Sequence, residues 1–202
     1  AFGENLVVEG FDFRALPVGT LLRCGDVLLE MTQIGKECHS HCEIYKKMGE
    51  CIMPREGVFA RVIEPGSISV GDEMLIEKRE GHFPWQAAVI TLSDKAAAGE
   101  RKDESGPAIA KRLREASYEV VEKIVIPDDE RVLKQQLIRL CDQRQLDLIL
   151  TTGGTGCSAR DITPEATLAI ADKNVPGIAE AMRAESLKIT KHAMISRAAS
   201  VI

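Results

Sequence analysis

From residue 86 onwards, short apolar runs alternate with stripes of apolar residues at helical spacing. The runs at 87–92, 118–126 and 146–150 predict buried strands. The stripes predict one helix that begins near Ser105 and another over 132–141. Strands that alternate with helices form a parallel sheet with helices packed against it. This part of the chain is therefore expected to be α/β, a three-layer, mostly parallel sheet with helices on both faces.

Residues 1–78 show a different pattern, in which short apolar stretches are separated by turn residues. The stretches at 21–24 and 27–32 are split by Gly25-Asp26, which is typical of a β-hairpin. Further strands are predicted at 58–63 and 74–76. Several short strands with regular turns predict a small all-β, barrel-like domain. Charged residues, Gly and Pro interrupt the pattern at 79–85, so we expect a linker there and a second domain over 86–202.

The charge balance and the cysteine content narrow the function classes. The chain has 26 Lys and Arg against 31 Asp and Glu, a net charge of −5, which argues against non-specific nucleic-acid binding. No apolar run approaches the roughly 18–20 residues that span a bilayer. Six unevenly spaced cysteines do not form the pattern of a secreted disulfide scaffold. We therefore expect a cytoplasmic, reduced protein that binds neither nucleic acid nor membranes.

A glycine-rich segment, Gly153-Gly154-Thr155-Gly156, follows the third predicted strand of the second domain. Glycines let the backbone approach a ligand without a Cβ in the way. Thr163-Pro164-Glu165 predicts the start of a helix, with the Thr163 hydroxyl as its N-cap. A strand, a glycine loop and a helix start can together hold an anion on backbone N–H groups. Arg160 and Asp161 lie in the same loop, where a phosphate or a metal ion could use them.

Polar residues follow each of the three predicted strands, at Ser93-Asp94, Asp128-Asp129 and 153–161. Because ligands bind beyond the carboxyl ends of parallel strands, these sites are expected to converge. Asp128 and Asp161 could then hold Mg²⁺ while glycine N–H groups bind phosphates. Such a site suits phosphoryl or nucleotidyl transfer, in which the catalyst mainly positions groups and neutralises charge. The alternative role for Asp128, just before a helix, is an N-cap.

Two common phosphate-binding motifs fit the glycine loop poorly. No Lys follows the glycines, so the P-loop pattern fails. Residues 154–159 match the dinucleotide pattern G-x-G-x-x-A, but this match follows the third strand of its domain rather than the first. Neither motif therefore identifies the ligand.

Residues 86–202 resemble the MogA/MoaB molybdopterin adenylyltransferase family. The resemblance depends on segments that occur in the family's order: Thr91-Leu92-Ser93-Asp94, Ile126-Pro127-Asp128-Asp129, 151–156, 160–167, Pro176-Gly177 and 193–197. It implies binding of molybdopterin and of ATP with Mg²⁺, and transfer of AMP to the terminal phosphate of the pterin with release of pyrophosphate. It also implies a homotrimer that works with downstream proteins of molybdenum or tungsten cofactor biosynthesis. The alternative is a non-catalytic molybdopterin-binding or carrier protein.

The same resemblance implies roles for individual residues. Asp128 and Asp161 correspond to the catalytic carboxylates, and Ser186 to a serine that contacts substrate. The cradle for nucleotide and pterin phosphates corresponds to the glycine loop and the residues beside it: Ser93, Asp94, Thr152, Gly153, Gly154, Thr155 and Gly156. Family members continue past the position of Ile202 with a strand and a Pro-Gly turn that line the same pocket. The resemblance therefore implies a trimmed chain or an incomplete site.

Residues 3–76 resemble part of a MOSC domain, the sulfur-carrier module associated with molybdenum cofactor sulfurases. The similar segments are residues 4–10, 19–26, 35–38 and 57–62, with the turns at Pro65-Gly66 and Gly71-Asp72. Cys38 matches the cysteine of that family and is the candidate thiol for carrying sulfur or contacting metal. Two alternatives stay open for this segment. One is a zinc site built from Cys38, His39, His41, Cys42 and Cys51, and the other is a set of loop thiols with no cofactor role.

Overall fold

The computed structural model describes residues 5–35, 45–46, 49, 56–78 and 84–202. The chain divides into two compact units. The first comprises Ala1–His82 with Asp142–Gln145, and the second comprises Phe83–Cys141 with Leu146–Ile202. Within the described ranges, none of the helices has the length and apolar character needed to cross a bilayer.

The first unit contains a four-stranded antiparallel sheet in the order β3-β2-β1-β4. Its strands are β1 (Leu21–Cys24), β2 (Val27–Ile34), β3 (Val58–Glu64) and β4 (Met74–Glu77). The predicted hairpin is confirmed: β1 and β2 pair around Gly25, whose φ of +56° suits glycine. Because β3 and β4 lie at opposite edges, the described strands form an open sheet rather than the predicted barrel. In the part of the unit that the structure describes, β3 and β4 do not pair with each other, so the sheet keeps two open edges.

One face of this sheet carries the apolar core of the first unit, and the other carries ion pairs between strands. The core is formed by Leu22, Cys24, Val27, Leu29, Met31 and Met74. On strands of the same sheet, the Arg23 guanidinium donates to both Glu77 and Glu64. The hydrogen bond from Arg23 lowers the pKa of Glu77. Side chains thus alternate between the core and a charged face, as expected for a strand period of two.

The second unit is built on a parallel sheet in the order β6-β5-β7. Its strands are β5 (Gln86–Leu92), β6 (Glu119–Ile126) and β7 (Leu148–Thr152). The helices are α1 (Asp94–Ala97), α2 (Ser105–Glu115), α3 (Glu130–Ile138), α4 (Thr163–Leu168) and α5 (Pro176–Leu187). A π-helical turn continues α3 at Arg139–Gln143, and a 3-10 turn lies at Lys191–Ile195. The α/β class predicted for this part of the chain is confirmed.

The central strand β5 is buried on both faces. Ala88, Ile90 and Leu92 pack into one apolar cluster with residues of α3 and α4. Ala87 and Val89 point the other way and pack against α2. Successive side chains of a strand alternate in this way, so a strand covered on both faces reads as one apolar run in the sequence. Helices therefore cover both faces of the sheet.

The parallel pairing brings the carboxyl ends of the three strands to one edge. The N–H of Ser93, just after β5, donates to the carbonyl of Ile126 at the end of β6 (2.9 Å). The last residues of the chain return to the same unit, since Lys173 and Ile202 exchange backbone hydrogen bonds of 2.7 and 2.8 Å. This pairing anchors the segment that carries Arg197, which reaches the loop after β7.

Candidate functional site

The loops after β5, β6 and β7 meet through charged side chains. Asp94 and Asp128 exchange hydrogen bonds: the Asp94 N–H donates to Asp128 Oδ2 (3.2 Å), and the Asp128 N–H donates to Asp94 Oδ1 (2.9 Å). The guanidinium of Arg160 lies 2.6 Å from Asp94 Oδ2. The structure thus joins residues from all three predicted polar sites at one edge of the sheet.

Ser93 and Asp129 act as helix caps at this edge. Ser93 Oγ accepts from the N–H of Ala96 (3.3 Å), and Asp129 Oδ1 accepts from the N–H of Val132 (3.0 Å). The N-cap role considered for Asp128 therefore belongs to its neighbour Asp129. Asp128 Oδ1 accepts no hydrogen bond from the described residues, so one carboxylate oxygen stays available to a ligand.

The glycine loop after β7 packs closely against its surroundings. Gly153 and Gly154 have φ values of +99° and +63°. A Cβ on Gly153 would lie closer than 3.0 Å to the Leu92 carbonyl oxygen, and one on Gly154 would lie equally close to the Thr163 hydroxyl. In the described part of the chain, the N–H groups of Gly154 and Thr155 have no hydrogen-bond acceptor. Adjacent free N–H groups of this kind can bind an anion.

The predicted N-cap role of Thr163 is wrong. Helix α4 begins at Thr163 itself, and the cap position is Ile162, which makes no side-chain cap hydrogen bond. The Thr163 hydroxyl instead donates to the Gly153 carbonyl (2.9 Å), and its N–H donates to the Gly154 carbonyl (3.1 Å). A tertiary partner therefore replaces the local one, and Thr163 ties the glycine loop to the start of α4.

Replacing Thr163 with valine is expected to lower the free energy of unfolding by about 1–3 kcal/mol, since the buried Thr163 side chain is the donor to the Gly153 carbonyl. Urea unfolding of the full chain measures this loss. The matched control is Thr167→Val, because among the described residues the Thr167 hydroxyl bonds only to the carbonyl of Thr163, one turn back in α4 (2.7 Å). That change is expected to cost less than about 0.5 kcal/mol. Equal losses in the two variants would contradict the stabilising role of the hydrogen bond between Thr163 and Gly153.

The carboxylate of Asp161 faces its own loop. Its Oδ2 accepts from the N–H of Ser158 (2.7 Å) and lies 2.8 Å from where a Cβ on Gly156 would be. The Ser158 hydroxyl is the main cause of a lowered pKa for Asp161, with smaller contributions from the Ser158 N–H, the charge of Arg197 and the Gly156 N–H. These contacts make Asp161 a brace inside the loop, and its place beside Asp128 at a shared ion stays a prediction.

Replacing Ser158 with alanine is expected to raise the pKa of Asp161 towards its ordinary value, because the hydroxyl is the main cause of the lowering. A lowered folded pKa means that the contact stabilises the loop above pH ~3.9, the unfolded value, and is lost as pH falls through the folded pKa. A carbon-13 NMR titration of the side-chain carboxyl measures the midpoint. Cys157→Ala serves as the control, and an unchanged midpoint in Ser158→Ala would contradict the assignment.

Arg197 is a functional candidate that the sequence pattern did not reveal. Its side chain donates to the carbonyls of Gly156 (2.6 Å) and Asp161 (2.5 Å), and it forms an ion pair with Glu165. Its backbone N–H donates to the Thr155 carbonyl (3.1 Å). The one available signal was an arginine inside the segment 193–197. Its partners could not be predicted, because backbone carbonyls carry no sequence signature.

Other predicted residues are less closely tied to this site. Thr152 is the last residue of β7 and pairs with Thr91 of β5. Ser186 is exposed on α5, and its hydroxyl makes no hydrogen bond to the described residues. Cys38 lies outside the described residues, as do the other members of the possible zinc set: His39, His41, Cys42 and Cys51.

The donor set fits a magnesium ion held by a single carboxylate. The described ranges contain no group of three or more His, Cys, Asp or Glu side chains that could share a metal ion. Mg²⁺ commonly uses one or two carboxylates and completes its shell with water and substrate phosphates. Asp128, with Oδ1 available, fits this pattern. Asp161 Oδ2 binds the N–H of Ser158 in its own loop, and the role of Asp161 as a second ligand stays a prediction.

Comparison with protein families assigns both parts of the chain. The family described as "Probable molybdopterin binding domain" matches residues 88–202, more than half of the sequence. The chain belongs to this family. The domain described as "MOSC domain" matches residues 1–75. The resemblances to the MogA/MoaB family and to the MOSC domain are therefore confirmed.

Relatives of this molybdopterin-binding family member carry one recurrent name. Two curated proteins are named molybdopterin adenylyltransferase. The protein from Haemophilus influenzae is 41% identical over 116 residues, and that from Escherichia coli K12 is 41% identical over 117 residues; each match covers 56% of this chain. The chain spans 59% and 60% of their lengths. The solved structure of the molybdopterin biosynthesis enzyme MoaB from Thermus thermophilus is 41% identical with a TM-score of 0.56. That match covers 58% of this chain and 74% of the other.

Proposed function

We propose that the second unit is a molybdopterin adenylyltransferase that acts in molybdenum or tungsten cofactor biosynthesis. Its substrates are ATP and molybdopterin, and its products are adenylylated molybdopterin and pyrophosphate. The observation that carries the proposal is the pair of N–H groups at Gly154 and Thr155, which have no acceptor among the described residues and lie on the loop whose Arg160 meets the end of β5. The names of the relatives supply the substrate class.

The polyphosphate is bound by the glycine loop and by Arg160. Adjacent backbone N–H groups in a turn bind anions without needing a positive side chain. The Arg160 side chain is 75% exposed and is held by Asp94 at 2.6 Å. A guanidinium matches the geometry of phosphate oxygens and carries its charge at every working pH. Arg160 is therefore poised to contact the phosphates of ATP.

The reaction requires positioning more than covalent chemistry from the protein. An oxygen of the terminal phosphate of molybdopterin attacks the α-phosphorus of ATP, a new P–O bond forms, and the bond to the β-phosphate breaks. Pyrophosphate leaves with the electron pair of that bond. Magnesium, when bound, supplies charge neutralisation on the phosphates, and Asp128 is the residue that holds it. Asp161 contributes by bracing the loop that carries the N–H groups.

Further roles follow from the two family resemblances alone. Ser186 contacts substrate, and the homotrimer, the cytoplasmic location and the downstream biosynthetic partners are those of the MogA/MoaB family. In the MOSC part, the Cys38 thiol handles sulfur. Sedimentation of the full chain tests the trimer, and labelling of a persulfide tests the thiol.

The deciding experiment incubates the purified full chain with ATP, Mg²⁺ and molybdopterin and measures pyrophosphate. Release that requires molybdopterin supports adenylyl transfer, and omission of the pterin is the control for simple ATP hydrolysis. Binding of molybdopterin without pyrophosphate release would instead identify a non-catalytic binding or carrier protein. That function also agrees with the description of the matched family. Absence of both binding and release would contradict the proposal.

A further inference from the structure

Arg197 gathers the carbonyl oxygens of the loop after β7 on one side. Its N–H binds the Thr155 carbonyl, Nε binds the Gly156 carbonyl, and Nη2 binds the Asp161 carbonyl. Three peptide units of the loop are thus oriented by one residue from the C-terminal segment. The planar fork of a guanidinium can bind several acceptors at once in a fixed geometry.

The orientation of these carbonyls sets the direction of the loop N–H groups. In a trans peptide unit the C=O and the following N–H point in opposite directions, and the described residues contain no cis peptide bond. The units that turn their carbonyls to Arg197 therefore turn the N–H groups of Gly156 and Cys157 away from it. The Gly156 N–H lies on the side of the Asp161 carboxylate and makes a small contribution to its lowered pKa, while the Cys157 N–H has no acceptor among the described residues.

Thr163 does the same for the first half of the loop. It binds the carbonyls of Gly153 and Gly154, so the N–H groups of Gly154 and Thr155 point away from α4. Two residues far apart in the sequence thereby divide the loop between them. Thr163 orients the first two N–H groups, and Arg197 orients the next two.

We infer that Arg197 is a positioning residue of the phosphate cradle, which it shapes by holding the carbonyls of Thr155, Gly156 and Asp161. This inference rests on the proposed function. Arg197 acts through the loop rather than on the ligand, since Nε, Nη1 and Nη2 are all engaged by the protein and the side chain is only 35% exposed. Arg160, more exposed and bound to one carboxylate, is the cation that reaches the phosphates.

Arg183 provides a matched control. It lies on α5, and its Nη1 donates to the carbonyls of Ser196 (3.4 Å) and Ala198 (3.1 Å). Arg183 thus holds the segment on either side of Arg197 by the same kind of bond, and its hydrogen bonds go to that segment rather than to the glycine loop. If the C-terminal segment contributes only to stability, replacing either arginine should have the same effect on the glycine loop.

The test compares Arg197→Lys with Arg183→Lys in the full chain, because lysine keeps the charge and loses the fork. Two quantities are measured: the affinity for inorganic pyrophosphate by calorimetry, and hydrogen exchange of the Ser158 amide, which binds Asp161. Arg197→Lys is expected to weaken pyrophosphate binding and to speed this exchange by about tenfold or more each. Arg183→Lys is expected to keep both within about threefold, even with an equal loss of melting temperature.

The outcomes separate the two proposals. Wild-type affinity for pyrophosphate in Arg197→Lys overturns the positioning role, and so does an equal loss in Arg183→Lys. If the unmodified chain binds no pyrophosphate, the proposed function fails. The exchange of the Ser158 amide then decides alone: faster exchange only in Arg197→Lys still supports Arg197 as the holder of the loop, and unchanged exchange overturns it.

Discussion

Replacing Gly153 with alanine is expected to lower the free energy of unfolding by about 3 kcal/mol or more, because two costs add at this residue. The backbone has a φ of +99°, which side chains with a Cβ rarely adopt. The new Cβ would also overlap the carbonyl oxygen of Leu92, a backbone atom of the central strand that cannot swing aside. The loop must therefore move away from β5, and pyrophosphate binding is expected to be lost with it.

Gly99→Ala separates the two costs. Gly99 has a φ of +76°, yet a Cβ there would meet no atom within 4 Å. This control is expected to cost only about 1–2 kcal/mol, the penalty of the left-handed conformation. Urea unfolding, monitored by the circular dichroism of the helices, gives the free energy of unfolding of both variants. Equal losses for the two glycines would show that close packing against Leu92 contributes nothing.

The strands and helices of the second unit were predictable because their signals are local. The apolar run predicted at 87–92 differs by one residue from β5, which begins at Gln86. The alternation of strands and helices implied the parallel order, and the order implied that the three loops would meet. Asp94, Asp128 and Arg160 are joined for this reason. Topology, rather than any single motif, made this part of the site predictable.

The details that the sequence did not predict depend on hydrogen-bond partners that carry no pattern in the sequence. Thr163 has the residue type and the predicted position of an N-cap, but its hydroxyl donates a hydrogen bond to the Gly153 carbonyl instead. Asp161 has the charge of a metal ligand, and the sequence did not predict that the Ser158 N–H, three residues earlier, would also bind it. The side chain of Arg197 binds carbonyls 36 and 41 residues away in the chain. A backbone carbonyl is the same at every residue, so no sequence pattern announces such a partner.

Replacing Asp128 with asparagine is expected to slow pyrophosphate release by about 10²–10³-fold while leaving molybdopterin binding nearly unchanged. Asparagine keeps an oxygen that can accept the hydrogen bond from the Asp94 N–H, so the link between the loops survives. The change removes the negative charge and the oxygen that binds no described residue. If Asp128 holds the magnesium ion that neutralises charge on the reacting phosphates, the loss falls on the rate rather than on the binding of the pterin.

Asp129→Asn is the control that makes this result specific. It removes the same charge one residue further along, and asparagine caps a helix about as well as aspartate, so α3 keeps its start. We expect this variant to release pyrophosphate at nearly the wild-type rate. An equal loss in both variants would mean that the edge needs negative charge in general rather than at Asp128. A wild-type rate in Asp128→Asn would remove this carboxylate from the reaction, and the loop N–H groups and Arg160 would then have to account for the transfer alone.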